Sequence, residues 1–191
     1  MKANKVIPII IIAALMLFAI ITSDAWSGNF TTGLSYMKNG HSEGTEETKT
    51  RCINDGAGID LGYEFEPLTY NLHKYFAPEV RFGGMLTYTA YETAFRETSR
   101  SPESDERIEQ SVTLTGTAKP GVKIGIVHPY LYVGAGPDWM QSNSLDVGYF
   151  IGSGIDVDVA DNVMMGFNYR KFHRNDGSTY KYLTLQAIFT F

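Results

Sequence analysis

GAGIDLGYEFE, residues 56–66, changes chemistry at every step. Along an extended chain Ile59, Leu61, Tyr63 and Phe65 point one way and Gly58, Asp60, Gly62 and Glu64 the other. That is a strand with one apolar face. Its opposite face is made of glycines and carboxylates, and what that face meets decides the fold.

Seven further segments carry the same period of two. Residues 30–38 set Phe30, Thr32, Leu34 and Tyr36 against Thr31, Gly33 and Ser35. In 79–91, Val80, Phe82, Leu86 and Tyr88 oppose Arg81, Gly83, Thr87 and Thr89, and in 111–124 Val112, Leu114 and Ala118 oppose Thr113, Thr115 and Thr117. Residues 130–139 place Leu131, Val133 and Ala135 opposite Gly134 and Gly136. Residues 147–159 alternate Val147, Tyr149, Ile151, Ile155, Val157 and Val159 with Gly148, Phe150, Gly152, Gly154, Asp156 and Asp158. Residues 163–172 set Met165, Phe167 and Tyr169 against Gly166, Asn168 and Arg170. The last segment, 179–191, alternates Leu185, Ala187, Phe189 and Phe191 with Thr184, Gln186 and Thr190. Eight strands are predicted.

The connections differ by side. Residues 39–55 and 92–110 are long, charged and poor in apolar residues, and read as mobile solvated loops. On the other side, 125–129 and 160–162 are short. Residues 67–78 are longer than a turn on that side should be.

The chain has 191 residues, enough for one domain, with 19 glycines, 12 tyrosines and 11 phenylalanines, a mix that suits strands and turns. A lone cysteine, Cys52, excludes an intrachain disulfide framework and any C-x-x-C site. A net charge of −5 argues against a nucleic-acid surface. Lys2 and Lys5 precede an apolar run of 16 residues, Val6 to Ile21, and then Ser23-Asp24-Ala25. The run is short for a spanning helix, which needs about 20 residues. Residues 1–25 are therefore expected to be a cleaved signal peptide, leaving 26–191 as the domain. Without a second long apolar run, a membrane could be crossed only by a closed barrel.

A soluble barrel of the lipocalin kind, binding a small ligand, would put the apolar face inward. Repeated glycines on its outer surface would weaken strands with no packing return. The interior of an eight-stranded barrel is just wide enough for side chains to fill, and small residues with paired charges suit it. The fold expected is thus all-β, an eight-stranded antiparallel up-and-down transmembrane β-barrel with the apolar face on lipid. Counting back from Phe191 along that face reaches Lys181. Ten residues, tilted by roughly 45°, cover about 23 Å of an apolar band of about 25 Å. Lys181 then falls at the far rim, and Lys171 lies near the same end.

With its long loops on one side and short turns on the other, the chain resembles the small outer-membrane barrels of the OmpA/OmpX/Opa type, most clearly over PYLYVGAGPDW (129–139) and the residues that follow. The resemblance implies the bacterial outer membrane. It also implies that the terminal strand, with Leu185, Phe189 and Phe191, is the signal read by the barrel-assembly machinery. It identifies an architecture, not an activity.

Chemistry finds little support. Outer-membrane lipid A deacylases, also eight-stranded barrels, place an H-x-S-N motif ahead of the last strand. Here the stretch reads YRKFHRNDGSTY (169–180), with Ser178 beyond a glycine turn from His173. His41, His73, His128 and His173 fall in four different connections, so no metal site is expected, and no loop suits a cofactor. Asp60, Glu64, Arg81, Asp156, Asp158 and Arg170 are expected to plug the lumen as ion pairs. Lys171, Arg174 and Lys181 are expected to cluster at the outer rim against lipopolysaccharide phosphates. The expectation is a monomeric, non-enzymatic envelope or surface protein whose partners meet 39–55 and 92–110.

Overall fold

The computed structural model describes residues 28–46, 49–70, 72, 76–97, 105–141 and 145–191, with backbone only across the described parts of 39–54 and 93–107. The expected signal peptide, 1–25, and His73 lie outside the described residues. The strands are β1 (Gly28–Glu46), β2 (Lys49–Phe65), β3 (Leu68–Thr69), β4 (Phe76–Glu97), β5 (Asp105–Ile124), β6 (Val127–Met140), β7 (Leu145–Ala160), β8 (Val163–Arg174) and β9 (Thr179–Thr190). Each long strand pairs antiparallel with its neighbours, β2 with β4, and β1 with β9, so the eight long strands close on themselves. Closure leaves no unpaired edge within the barrel. Near the seam Leu34 faces Leu185, Phe30 faces Phe189, and the Phe191 amide donates to the Gly28 carbonyl at 3.1 Å.

The alternation of the sequence is the alternation of exposure. In β9, Leu183, Leu185 and Phe189 face out while Tyr182, Thr184, Gln186 and Ile188 are buried. In β7, Val147, Tyr149, Ile151 and Ile155 face out while Phe150 and Asp156 are buried. The outer surface is therefore apolar and the core largely polar, the inverse of a soluble domain.

Inward glycines have a packing reason. A Cβ on Gly154 would stand 2.5 Å from the Tyr130 ring, and one on Gly148 would stand 2.3 Å from the Phe172 ring. These glycines are the spaces into which the lumen aromatics fit.

Two connections differ from the sequence reading. Residues 39–55 and 92–110 are largely strand, not mobile loop: β1 and β2 pair out to Glu46↔Lys49, and β4 and β5 out to Phe95↔Asp105. Lys49↔Glu97 and Thr50↔Arg96 join the two hairpins, so β1, β2, β4 and β5 continue beyond the barrel as one four-stranded extension. Backbone hydrogen bonding between neighbouring hairpins outweighs polar composition there. The hairpin tips themselves, 47–48 and 98–104, lie outside the described residues. The long 67–78 connection is a resumed ladder. Pairing of β2 breaks at Glu66-Pro67, where proline has no amide to donate. It restarts as Leu68↔Val80 and Thr69↔Glu79, and the Tyr70 amide donates to the Pro78 carbonyl at 2.9 Å. The other turns on that side, at Gly125 and at 161–162, are tight, and Gly125 has a φ of 62°, which favours glycine.

Candidate functional site

Four polar layers fill the lumen. Nearest the end that carries Gly28 and Phe191, His128 stands between Glu79 and Asp158, 3.1 Å from each, and Lys123 meets Asp158 at 3.2 Å. These groups line an open cavity of about 880 Å³. Arg81 closes its inner side. It reaches Asp156 at 2.7 Å, Glu79 at 3.3 Å and Glu64 at 3.6 Å. Lys119 pairs with the same Glu64 and lies 5.0 Å and 4.7 Å from the centres of the Tyr130 and Tyr132 rings.

The third layer is built on Asp60. Its carboxylate accepts from Arg170 at 2.7 Å, from the Thr87 hydroxyl at 2.6 Å and from the Thr184 hydroxyl at 3.2 Å. Arg170 also donates to the Met85 sulfur at 3.2 Å and lies over the Tyr182 ring at 4.8 Å. The fourth layer is Arg174, with Asp138 at 3.1 Å, Asp146 at 3.4 Å and Asp176 at 3.1 Å.

Each cation of these layers meets a carboxylate, so the buried charges compensate one another. The void among Met85, Thr87, Thr115, Arg170 and Phe172 is about 10 Å³, room for no more than about one water. The third layer seals the barrel. Asp60, Glu64, Arg81, Asp156 and Arg170 are buried in the network as the alternation predicts, and Asp158 is half-buried at its edge. Sequence reasoning missed Lys119, Glu79, Asp138 and Arg174 as members. Their inward parity was the available signal, since each shares it with a glycine, threonine or aromatic of its own strand.

Arg174 corrects an expectation. It is 5% exposed and held inside by three aspartates, so it is no part of an outer cationic cluster. Parity explains this: Lys171 and Arg174 are three residues apart on one strand and take opposite faces. Lys171 and Lys181 do face outward and stand directly opposite each other. Leu185, Phe189 and Phe191 also face outward, with Phe191 64% exposed.

The hydrolytic candidates separate. His173 stacks on Tyr149 on the outer side, with ring centres 5.1 Å apart. Its Nδ1 lies 3.2 Å from the Thr179 hydroxyl. Ser178 is buried, and its amide donates to Asp176 at 2.8 Å. A hydroxyl nucleophile needs its base in reach and a third group to orient that base. His173 reaches a threonine rather than the serine, and it has no carboxylate partner among the described residues. No group of three or more His, Cys, Asp or Glu side chains among the described residues is arranged to hold a metal ion.

A closed barrel, apolar outside and polar inside, with short turns at one end and projecting hairpins at the other, defines a transmembrane β-barrel of the outer-membrane class. The chain belongs to the outer membrane protein beta-barrel domain family, whose model matches residues 10–191. It is a protein of the bacterial outer membrane. By sequence it matches no curated protein. Among solved structures it is similar to Neisserial surface protein A, NspA, with 14% identity over 85% of this chain and 97% of that one and a TM-score of 0.56. It is also similar to the outer membrane enzyme PagL, with 12% identity over 81% and 97% and a TM-score of 0.52. The attachment invasion locus protein Ail of Yersinia pestis aligns at 16% identity over 86% and 99%, with a TM-score of 0.47. At these identities the likeness is one of fold, and it spans a surface protein and an enzyme alike.

Proposed function

We propose that the chain is a monomeric, non-enzymatic surface protein whose contact region is the four-stranded extension of β1, β2, β4 and β5. The observation that carries this reading is the division of the molecule. The middle of the barrel lumen is packed with paired charges around a void of about 10 Å³, and the open cavity of about 880 Å³ lies at the end away from the hairpins, while four strands of 17 to 22 residues run past the 12 residues of β8 and β9. About 9–11 residues suffice to cross the bilayer, so the excess is available for contact outside it. The test replaces residues 41–52 and 93–107 with short turns and assays adhesion of whole cells to host-cell or matrix surfaces. Loss of adhesion at unchanged barrel levels is expected, and unchanged adhesion would refute the reading.

A second reading, a lipid A-modifying enzyme, draws on the contact of His173 with Thr179. Mass spectra of lipid A from cells with and without the protein distinguish the two: identical spectra fit the surface reading, and a lost acyl chain fits the enzyme. For biogenesis, Leu185, Phe189 and Phe191 form the signal taken up by the barrel-assembly machinery. Phe191→Ala should lower the amount of assembled barrel in the outer membrane, and unchanged amounts would exclude that role.

A further inference from the structure

The outward face carries a row of positive charge that no carboxylate among the described residues pairs with. Lys38 of β1, Lys181 of β9 and Lys171 of β8 are consecutive cross-strand neighbours: Lys38↔Lys181 and Lys181↔Lys171. Lys38 and Lys181 are exposed and Lys171 is half-buried. Like charges directly opposite each other on one sheet face repel. Every cation of the lumen layers has a carboxylate, yet none of these three forms an ion pair with a carboxylate among the described residues. The carboxylate flanking this row, Asp55, accepts the Tyr36 hydroxyl instead.

The height of the row is fixed by its neighbours. One pleat toward the barrel middle, the same strands present Tyr36, Leu183 and Tyr169, again in direct register. All three are well exposed to the outside. Tyrosines on the lipid face of a barrel mark the membrane interface. The next pleat outward, where the lysines stand, is the level of the lipid headgroups on the side of the projecting hairpins. Strands about 4.8 Å apart bring three ammonium groups within reach of a single phosphate.

We infer that Lys38, Lys181 and Lys171 form a binding site for the phosphate of an outer-leaflet lipid. The anion offsets their mutual repulsion, and the tyrosine row below lies against the upper part of its acyl chains. The inference rests on the outward face meeting lipid, and it is independent of the surface-contact reading.

The test uses the folded full chain in phosphatidylcholine vesicles doped with bisphosphorylated lipid A, dephosphorylated lipid A or phosphatidylglycerol. Lipid retained per barrel is read by native mass spectrometry. Bisphosphorylated lipid A should be retained, and the Lys38→Gln/Lys171→Gln/Lys181→Gln variant should bind it at least about tenfold more weakly. Lys123→Gln, which removes the same charge from the cavity at the opposite end, should bind as the unaltered protein does. Selective retention of phosphatidylglycerol, lost in the triple variant, would support the site and assign it to a phospholipid. Equal retention by the triple variant, or equal retention of dephosphorylated lipid A, would overturn it. Heat-dependent gel mobility verifies folding. In neutral detergent the triple variant should resist urea at least as well as the unaltered protein, because removing like charges relieves repulsion. A less stable triple variant would contradict the premise. If the triple variant fails to fold, Lys181→Gln alone, the centre of the row, must weaken retention.

Discussion

Asp60→Ala is the sharpest perturbation of the sealed lumen. The carboxylate is 2% exposed and holds Arg170 at 2.7 Å while accepting from Thr87 and Thr184. Its removal leaves a fully enclosed guanidinium with the Thr87 hydroxyl at 3.2 Å, a methionine sulfur and aromatic faces as its remaining partners. Breaking a buried pair from one side costs about 3–5 kcal/mol, because a charge is left uncompensated. The two hydroxyls lose an acceptor as well. The same reasoning predicts rescue: Asp60→Ala with Arg170→Met removes both charges and should recover most of the loss. Urea unfolding of the barrel in vesicles, followed by gel mobility without heating, measures all three variants and closes the double-mutant cycle. A loss below about 1 kcal/mol for Asp60→Ala, or a double variant as unstable as the sum of the singles, would refute the claim that compensated charge holds this core.

Other consequences are read by the same titration. Gly152→Ala should destabilise by about 1–3 kcal/mol, because its Cβ would lie 2.1 Å from the Tyr169 carbonyl oxygen, whereas Gly116→Ala has open space around it and should be nearly neutral. Arg174→Gln should cost several kcal/mol by leaving buried Asp138 without its cation, whereas Lys171→Gln should stay within about 0.5 kcal/mol. Leu185→Lys puts a charge on the lipid face near mid-membrane and should cost about 2–4 kcal/mol; a negligible effect would mean that this face does not meet lipid.

Strand number, faces and the polar lumen were legible because a period of two is written into every strand, as in Ile59 to Phe65 against Gly58 to Glu64. Side-chain parity went further than proximity to a turn. Position near the last hairpin groups Arg174 with Lys171 and Lys181, yet its parity with Arg170 and Phe172 places it in the lumen. The partners within the lumen could not be read, since Asp60 meets Arg170 across 110 residues and barrel closure alone brings them together. Lys38 is hidden in the sequence for a related reason. Its place beside Lys181 depends on the register of β1 against β9, which local pattern does not specify. The four-stranded extension was hidden by composition: a polar stretch reads as a loop when the strand it pairs with lies elsewhere in the chain.

Closure between β1 and β9 underlies the sealed lumen, the lipid-facing surface and the lysine row. Leu34 and Leu185 stand opposite each other across that seam. With Cys52 replaced by alanine, Leu34→Cys/Leu185→Cys should form an intrachain disulfide in the outer-membrane fraction under mild oxidation. Leu34→Cys with a cysteine at Tyr149, on a strand remote from β1, should not. Cross-linking of Leu34 to Leu185 in most molecules is the predicted result; its absence in folded, membrane-inserted protein would contradict the barrel described.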